Sequence, residues 1–129
     1  MRTVMQQFTL RIPNDLIITS NRTSEIWRRR KLKDYVHPAV QVLARDLEPM
    51  GKATIHVGIT KRTKGAYDPA NLTDTCKPGV DQLVRMGVLD EDDYHHVMGP
   101  WPYHRGVDKR LQGCTDFTFV LTPYSTIPF

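Results

Sequence analysis

Residues 52–62, KATIHVGITKR, alternate Ala53, Ile55, Val57 and Ile59 with Thr54, His56 and Thr60. A period of two places the four apolar side chains on one face of an extended strand. That face needs a covering layer, and the flanking sequence supplies two candidates. Upstream, residues 22–47 (RTSEIWRRRKLKDYVHPAVQVLARDL) carry Leu32, Val36, Val40, Leu43 and Leu47 at steps of three or four, the stripe of an amphipathic helix with Asn21 as its cap. Pro38 is expected to kink or divide this helix near Tyr35 to His37, and EPMG (48–51) reads as its stop and turn. Downstream, a helix is expected to open near Asp68 to Asn71 and run to about Met86, with Gly87 just past its end. Pro78 and Gly79 predict an irregular middle, or two short helices.

The remaining segments complete a sheet. In QQFTLRI (6–12), Phe8, Leu10 and Ile12 share one face and Pro13–Asn14 end the strand; in TDFTFVLT (115–122), Phe117, Phe119 and Leu121 do the same. HHVMGPW (95–101) is a weaker strand candidate, YHRGVDKRLQG (103–113) reads as a basic loop, and PYSTIPF (123–129) as a proline-punctuated tail. The order β, α, β, α, β, β predicts a single α+β domain over residues 1–129, a small mixed β-sheet packed with two main helices. With 129 residues, 40% of them apolar and 25% charged, the chain has the composition of a globular protein with a sizeable core. No apolar run approaches the roughly 20 residues of a membrane helix, and Met1 to Thr9 lack the apolar centre of a signal peptide. Cys76 and Cys114 have no C-x-x-C spacing and fit reduced thiols, so a cytoplasmic setting is expected.

Charge is segregated along the chain. Residues 1–64 hold 13 Lys/Arg against 5 Asp/Glu and residues 65–129 hold 5 against 9, giving +8 and −4, which sum to the net +4. A basic surface beside an acidic focus suits a metal-dependent enzyme acting on a polyanion. The basic candidates are Arg28, Arg29, Arg30 and Lys31 on the first helix, Lys61, Arg62 and Lys64 before Asp68, and Arg105, Lys109 and Arg110 further on. Phosphate contacts of this kind give salt-dependent binding with little sequence preference. Asp81 reads as structural, paired with Arg85 four residues on. Of His95 and His96, at most one can face a metal if both lie on a strand; His37, His56 and His104 lack zinc-ligand spacing. Trp27 and Trp101 suit core or dimer packing, or stacking on unpaired bases. No Gly-rich phosphate loop, G-x-S-x-G or H-E-x-x-H occurs, which leaves P-loop hydrolysis, serine catalysis and zinc proteolysis without support.

The run DPANLTDTCKPGVDQLVRMGVLDEDDYHHV (68–97) resembles the signature region of the RusA family of Holliday junction resolvases, particularly its phage-type members. The positions that carry the likeness are Asp68, Asn71, Lys77, Asp81, Gly87 to Leu89, and Asp92 with Asp93. The resemblance implies a homodimeric endodeoxyribonuclease that binds four-way or branched DNA and nicks two strands symmetrically with Mg²⁺ or Mn²⁺, in a bacterial or phage setting. Asp68 and Asp93 would be the principal metal ligands and Asp92 a second ligand or a water-orienting group. Lys77 would stabilise charge on the phosphate or protonate the departing oxygen, and Asn71 would belong to the DNA-binding surface. Closely packed carboxylates with a hard divalent cation suit this hydrolysis, because the cation lowers the pKa of its water and offsets phosphate charge.

One position departs from the family pattern. The second aspartate of its pair falls on Ala70, whose methyl binds no metal. Asp74, four residues on, is the expected substitute if the helix is regular there. Two alternatives stand beside the resolvase: a branched-DNA-binding protein that does not cut, and a small metal-dependent nucleotide phosphohydrolase. The dimer interface is expected on the long N-terminal helix or on the tail Ile127 to Phe129.

Overall fold

The alternation of residues 52–62 becomes the second of four strands in the computed structural model, which describes residues 5–19 and 26–126. In chain order the elements are β1 (Gln6–Pro13), α1 (Ile26–Leu43), β2 (Ala53–Lys61), α2 (Thr73–Arg85), β3 (Val97–Val107) and β4 (Cys114–Pro123). The mixed sheet has the order β1-β4-β2-β3, with β4 antiparallel to both of its neighbours and β3 parallel to β2. Register aligns the apolar rows across three strands: Phe8, Phe119 and Val57 form one, Leu10, Phe117 and Ile59 the next. All six are buried, and the Phe8 and Phe119 rings stack at 5.0 Å.

Both helices cover that face. α1 contributes Leu32, Val36 and Val40, and α2 contributes Cys76, Val80 and Leu83. Gly79 sets the depth of α2, since a Cβ there would stand 2.6 Å from the Phe119 ring. The strand β2, helix α2 and strand β3 form one crossover, the connection that parallel neighbours require. α2 therefore starts beside the C-terminal end of β2 and leads back to the N-terminal end.

Several expectations need correction. α1 is not divided at Pro38 and runs on to Leu43: Pro38 and Asp34 are both exposed, so water can take the carbonyl that loses its donor. The stripe ends on Ala44, 1% exposed, and not on Leu43, 45% exposed; the chain turns there and Leu47 packs only partly. α2 is likewise continuous through Pro78 and Gly79, with a 3₁₀ turn over Pro69–Leu72 before it. β3 is longer than the expected 95–101 strand, and the first half of the expected basic loop lies within it. Its register with β2 slips twice, and Gly99, at φ +108, occupies the first slip, where any Cβ would collide with the Ile55 carbonyl oxygen. The Asp81–Arg85 pair is replaced by a 2.9 Å contact between Arg85 Nη1 and His37 Nδ1. Trp27 lies 52% exposed on α1, outside the core. Asn21, residues 22–25 and the tail Ile127 to Phe129 lie outside the described residues.

Candidate functional site

Past Lys61 at the end of β2, the chain loops through the exposed Arg62 and Lys64 to Asp68. Pro69 at the first position favours a tight turn, and Asp68 caps it: its Oδ1 accepts from the Ala70 backbone N–H at 3.0 Å, and its carbonyl accepts from Asn71 N–H at 3.0 Å. The exposed Asp68 borders a cleft of about 310 Å³ with Asn14, Lys61, Tyr67, Asn71 and Thr115, over an apolar floor that includes Ile17 and Leu72. Lys61 Nζ stands 4.5 Å over the Tyr67 ring, and the Tyr67 hydroxyl contacts His104 Nδ1 at 2.7 Å. Burial raises the Tyr67 phenol above its ordinary pKa, so it stays a neutral hydroxyl. Thr115 Oγ1 donates to Asn14 Oδ1 at 2.7 Å, joining the end of β1 to the start of β4 across the cleft. Asn14, Tyr67, His104 and Thr115 escape a sequence reading, since they come from four separate segments and share no spacing.

Asp74 borders a different cleft from Asp68. The 3₁₀ turn intervenes between Asp68 and α2, so counting four residues from Ala70 does not follow one regular helix. Asp74 instead meets Lys77 Nζ at 3.3 Å and Arg29 Nη2 at 3.6 Å. These three border a separate cleft of about 150 Å³ between α1 and α2, with Lys33 and Asp81 on the same rim. Arg28 and Lys31 lie within 5.2 and 5.6 Å of the Trp27 ring, and Arg30 is exposed beside them.

The second acidic focus sits at the other end of the sheet. Asp90 follows a bridge between Leu89 and Gly51, and its N–H donates to the Gly51 carbonyl at 2.9 Å. Asp92 and Asp93 are exposed in the turn before β3. Asp93 Oδ1 takes His96 Nδ1 at 2.6 Å and the His95 N–H at 3.0 Å, and those bonds, His96 first, hold its carboxyl below the usual range. His95 and His96 lie in this turn and not on the expected strand, since β3 begins at Val97, so strand alternation does not separate them; His96 bonds Asp93 while His95 lies against Tyr94 at 4.1 Å. The Ala53 N–H donates to the His96 carbonyl at 2.8 Å, which fixes this turn to the start of β2. β2 climbs eight steps from Ala53 to Lys61, so the two ends lie about 26 Å apart at ~3.3 Å per residue. One chain thus presents Asp68 at one end and Asp92–Asp93 at the other. Among the described residues no three His, Cys, Asp or Glu side chains come together as a metal site.

No family model and no curated protein matches this chain. Among the described residues, no helix is long and apolar enough to cross a membrane. Cys76 and Cys114 are both free thiols, and burial raises the Cys76 pKa strongly. Arg110 is engaged twice by Asp108 at 3.0 Å, while Arg105 and Lys109 stand exposed.

Proposed function

We propose that the chain acts as a homodimeric endodeoxyribonuclease on four-way or otherwise branched DNA, requiring Mg²⁺ or Mn²⁺. The observation that carries the reading is the Asp68 cleft, where an exposed carboxylate is bordered by Lys61 and follows a loop bearing Arg62 and Lys64. Cations beside a carboxylate suit a phosphodiester: they draw in the backbone, and the carboxylate offers a hard oxygen to a divalent cation. The likeness of residues 68–97 to the RusA signature supports the same chemistry. Such a cation, when bound, supplies Lewis-acid stabilisation and a more acidic water.

The crossover keeps Asp68 and Asp93 at opposite ends of one chain. On this reading the two meet between copies, Asp68 from one and Asp93 from the other, across a two-fold axis that makes both sites identical. A four-way junction has an approximate two-fold axis of its own, so paired sites match paired strands. Around the α1–α2 cleft, Arg29, Lys33 and Lys77 outnumber Asp74 and Asp81 by one charge, a weakly basic rim for the arms.

The test is a nicking assay on an end-labelled four-way junction with Mg²⁺, Mn²⁺ or EDTA, comparing wild type with Asp68→Asn and Asp93→Asn. Symmetric, metal-dependent nicks lost in both variants are expected. The second reading, a junction-binding protein that does not cut, is favoured by Ala70 at the place of the family's second aspartate. Tight junction binding indifferent to metal, with no nicks, would establish it instead.

A further inference from the structure

The helices cover one face of the sheet and leave the other without a layer among the described residues. On that open face, the edge strand β3 carries Trp101, Tyr103 and Arg105 in a row. Trp101 lies beside His56 of β2, with ring centroids 5.4 Å apart and the planes edge to face. Tyr103 reaches inward over Gly58: a Cβ added there would stand 2.9 Å from the Tyr103 hydroxyl and 3.0 Å from Arg105 Cδ. Gly58 therefore gives the phenol and the Arg105 stem room to lie across β2. Tyr103 remains 41% exposed, and His56 and Arg105 are exposed as well.

We infer that this row is a stacking platform for an unpaired strand of the DNA, an inference that rests on the nucleic-acid reading above. Charge favours that occupant. On the open face the Asp116 carboxylate is bound by Arg11 through two contacts of 2.9 and 3.2 Å, and Asp108, just past β3, is bound by Arg110. Arg105 is thus left without an opposing carboxylate on this face. A second copy would be held poorly, since the aliphatic side chains there are scattered, Val120 and Met98 with Met5 just before β1, and the rest is threonine, glutamine, charge and aromatic edge. Nucleobases need neither an apolar core nor a fixed sequence, only ring faces and nearby cations. Position agrees too: alternate residues on a strand are about 7 Å apart, close to one nucleotide of a stretched strand. The row also runs toward the end of β2 where Lys61, Arg62 and the Asp68 cleft lie, because Thr60 pairs with Gly106 and Lys61 with Val107. A strand opened at a branch point can pass from the cleft onto the platform.

The experiment measures fluorescence anisotropy with two probes, a labelled single-stranded oligodeoxythymidylate and a four-way junction with fully paired arms. Wild type is compared with Trp101→Ala/Tyr103→Ala, and in parallel with Arg105→Gln, which removes no core contact. Circular dichroism melting confirms folding, and light scattering reports the number of copies. Loss of oligodeoxythymidylate affinity by roughly 5- to 150-fold per ring, with junction affinity little changed, is the expected result. Arg105→Gln should weaken the same probe and flatten its salt dependence. Undiminished oligodeoxythymidylate binding by the folded variants overturns the inference while leaving the nuclease reading intact. Wild type that binds neither probe overturns both. A double variant that turns a dimer into a monomer assigns the face to a second copy and overturns the platform.

Discussion

Replacing Gly79 by alanine sets a helix preference against a packing limit. In an exposed helix interior the change would stabilise by about 1 kcal/mol, because alanine loses less backbone freedom. Here the new methyl would stand 2.6 Å from Cζ and 2.9 Å from Cε2 of Phe119. That ring is 1% exposed, stacked on Phe8 at 5.0 Å with 4° between planes, and in register with Val57, so it has no direction in which to yield. Relief must come from lifting α2 off the sheet, an overpacking cost of about 1 to 3 kcal/mol. With packing at the upper end, the net loss is about 2 kcal/mol. Urea unfolding followed by far-ultraviolet circular dichroism should show a lower midpoint at unchanged slope. In a Phe119→Leu background the same Gly79→Ala step should cost less, since the smaller side chain frees the space, and the cycle isolates that coupling. A Gly79→Ala protein more stable than wild type would refute the claim that this close approach sets the depth of the helix.

Three further outcomes are expected. If Asp68 and Asp93 act from different copies, mixing Asp68→Asn with Asp93→Asn restores one intact site in each mixed dimer, roughly a quarter of the wild-type sites at equal proportions. A junction-nicking assay reads this directly, and no recovery would refute a site shared between copies. His37 accepts from Arg85, and burial first, then Arg85, lowers its pKa below 6.5. A lowered pKa favours the neutral ring in the fold, so its contribution is present above about pH 6.5 and lost as pH falls through the folded pKa. Wild type should therefore lose stability relative to His37→Gln between pH 7 and 5, as urea midpoints would show; parallel curves would remove His37 as the cause. Asp74→Asn breaks contacts to Lys77 and Arg29 at 3.3 and 3.6 Å, between side chains open to solvent, so stability should change by no more than about 1 kcal/mol. Its metal-dependent nicking should persist, and abolished nicking in the folded variant would return Asp74 to the site.

The legible parts of the fold were those where one face meets the core. Phe8, Leu10 and Ile12, the row Ala53 to Ile59, and Phe117, Phe119 and Leu121 alternate because the helices cover one side only. β3 hid its length because it is an edge strand with Gly99, Pro100 and Pro102 and two register slips, so burial imposes no simple period. Pro38 and Pro78 misled because local preference was weighed alone, whereas packing of Val36, Val40, Val80 and Leu83 holds the helices together. At the candidate site, Asp68 and its turn could be read from a proline and a capping aspartate. The partners Asn14, Tyr67 and Thr115 could not, because their proximity is created by the sheet. Likewise, 25 positions of separation between Asp68 and Asp93 carry no sign of which end of a strand each occupies.

The place of β4 in the sheet bears on how the chain can be synthesised. It pairs with β1 and β2 at once, and the register runs from Gln6 against Leu121 to Pro13 against Cys114. Some hundred residues must leave the ribosome between the two partners, so β1 waits without its only sheet neighbour among the described strands until β4 emerges. A message truncated before residue 114 would release a chain lacking the strand that joins β1 to the sheet. Such fragments should be taken up by chaperones or proteases and leave no half-active product.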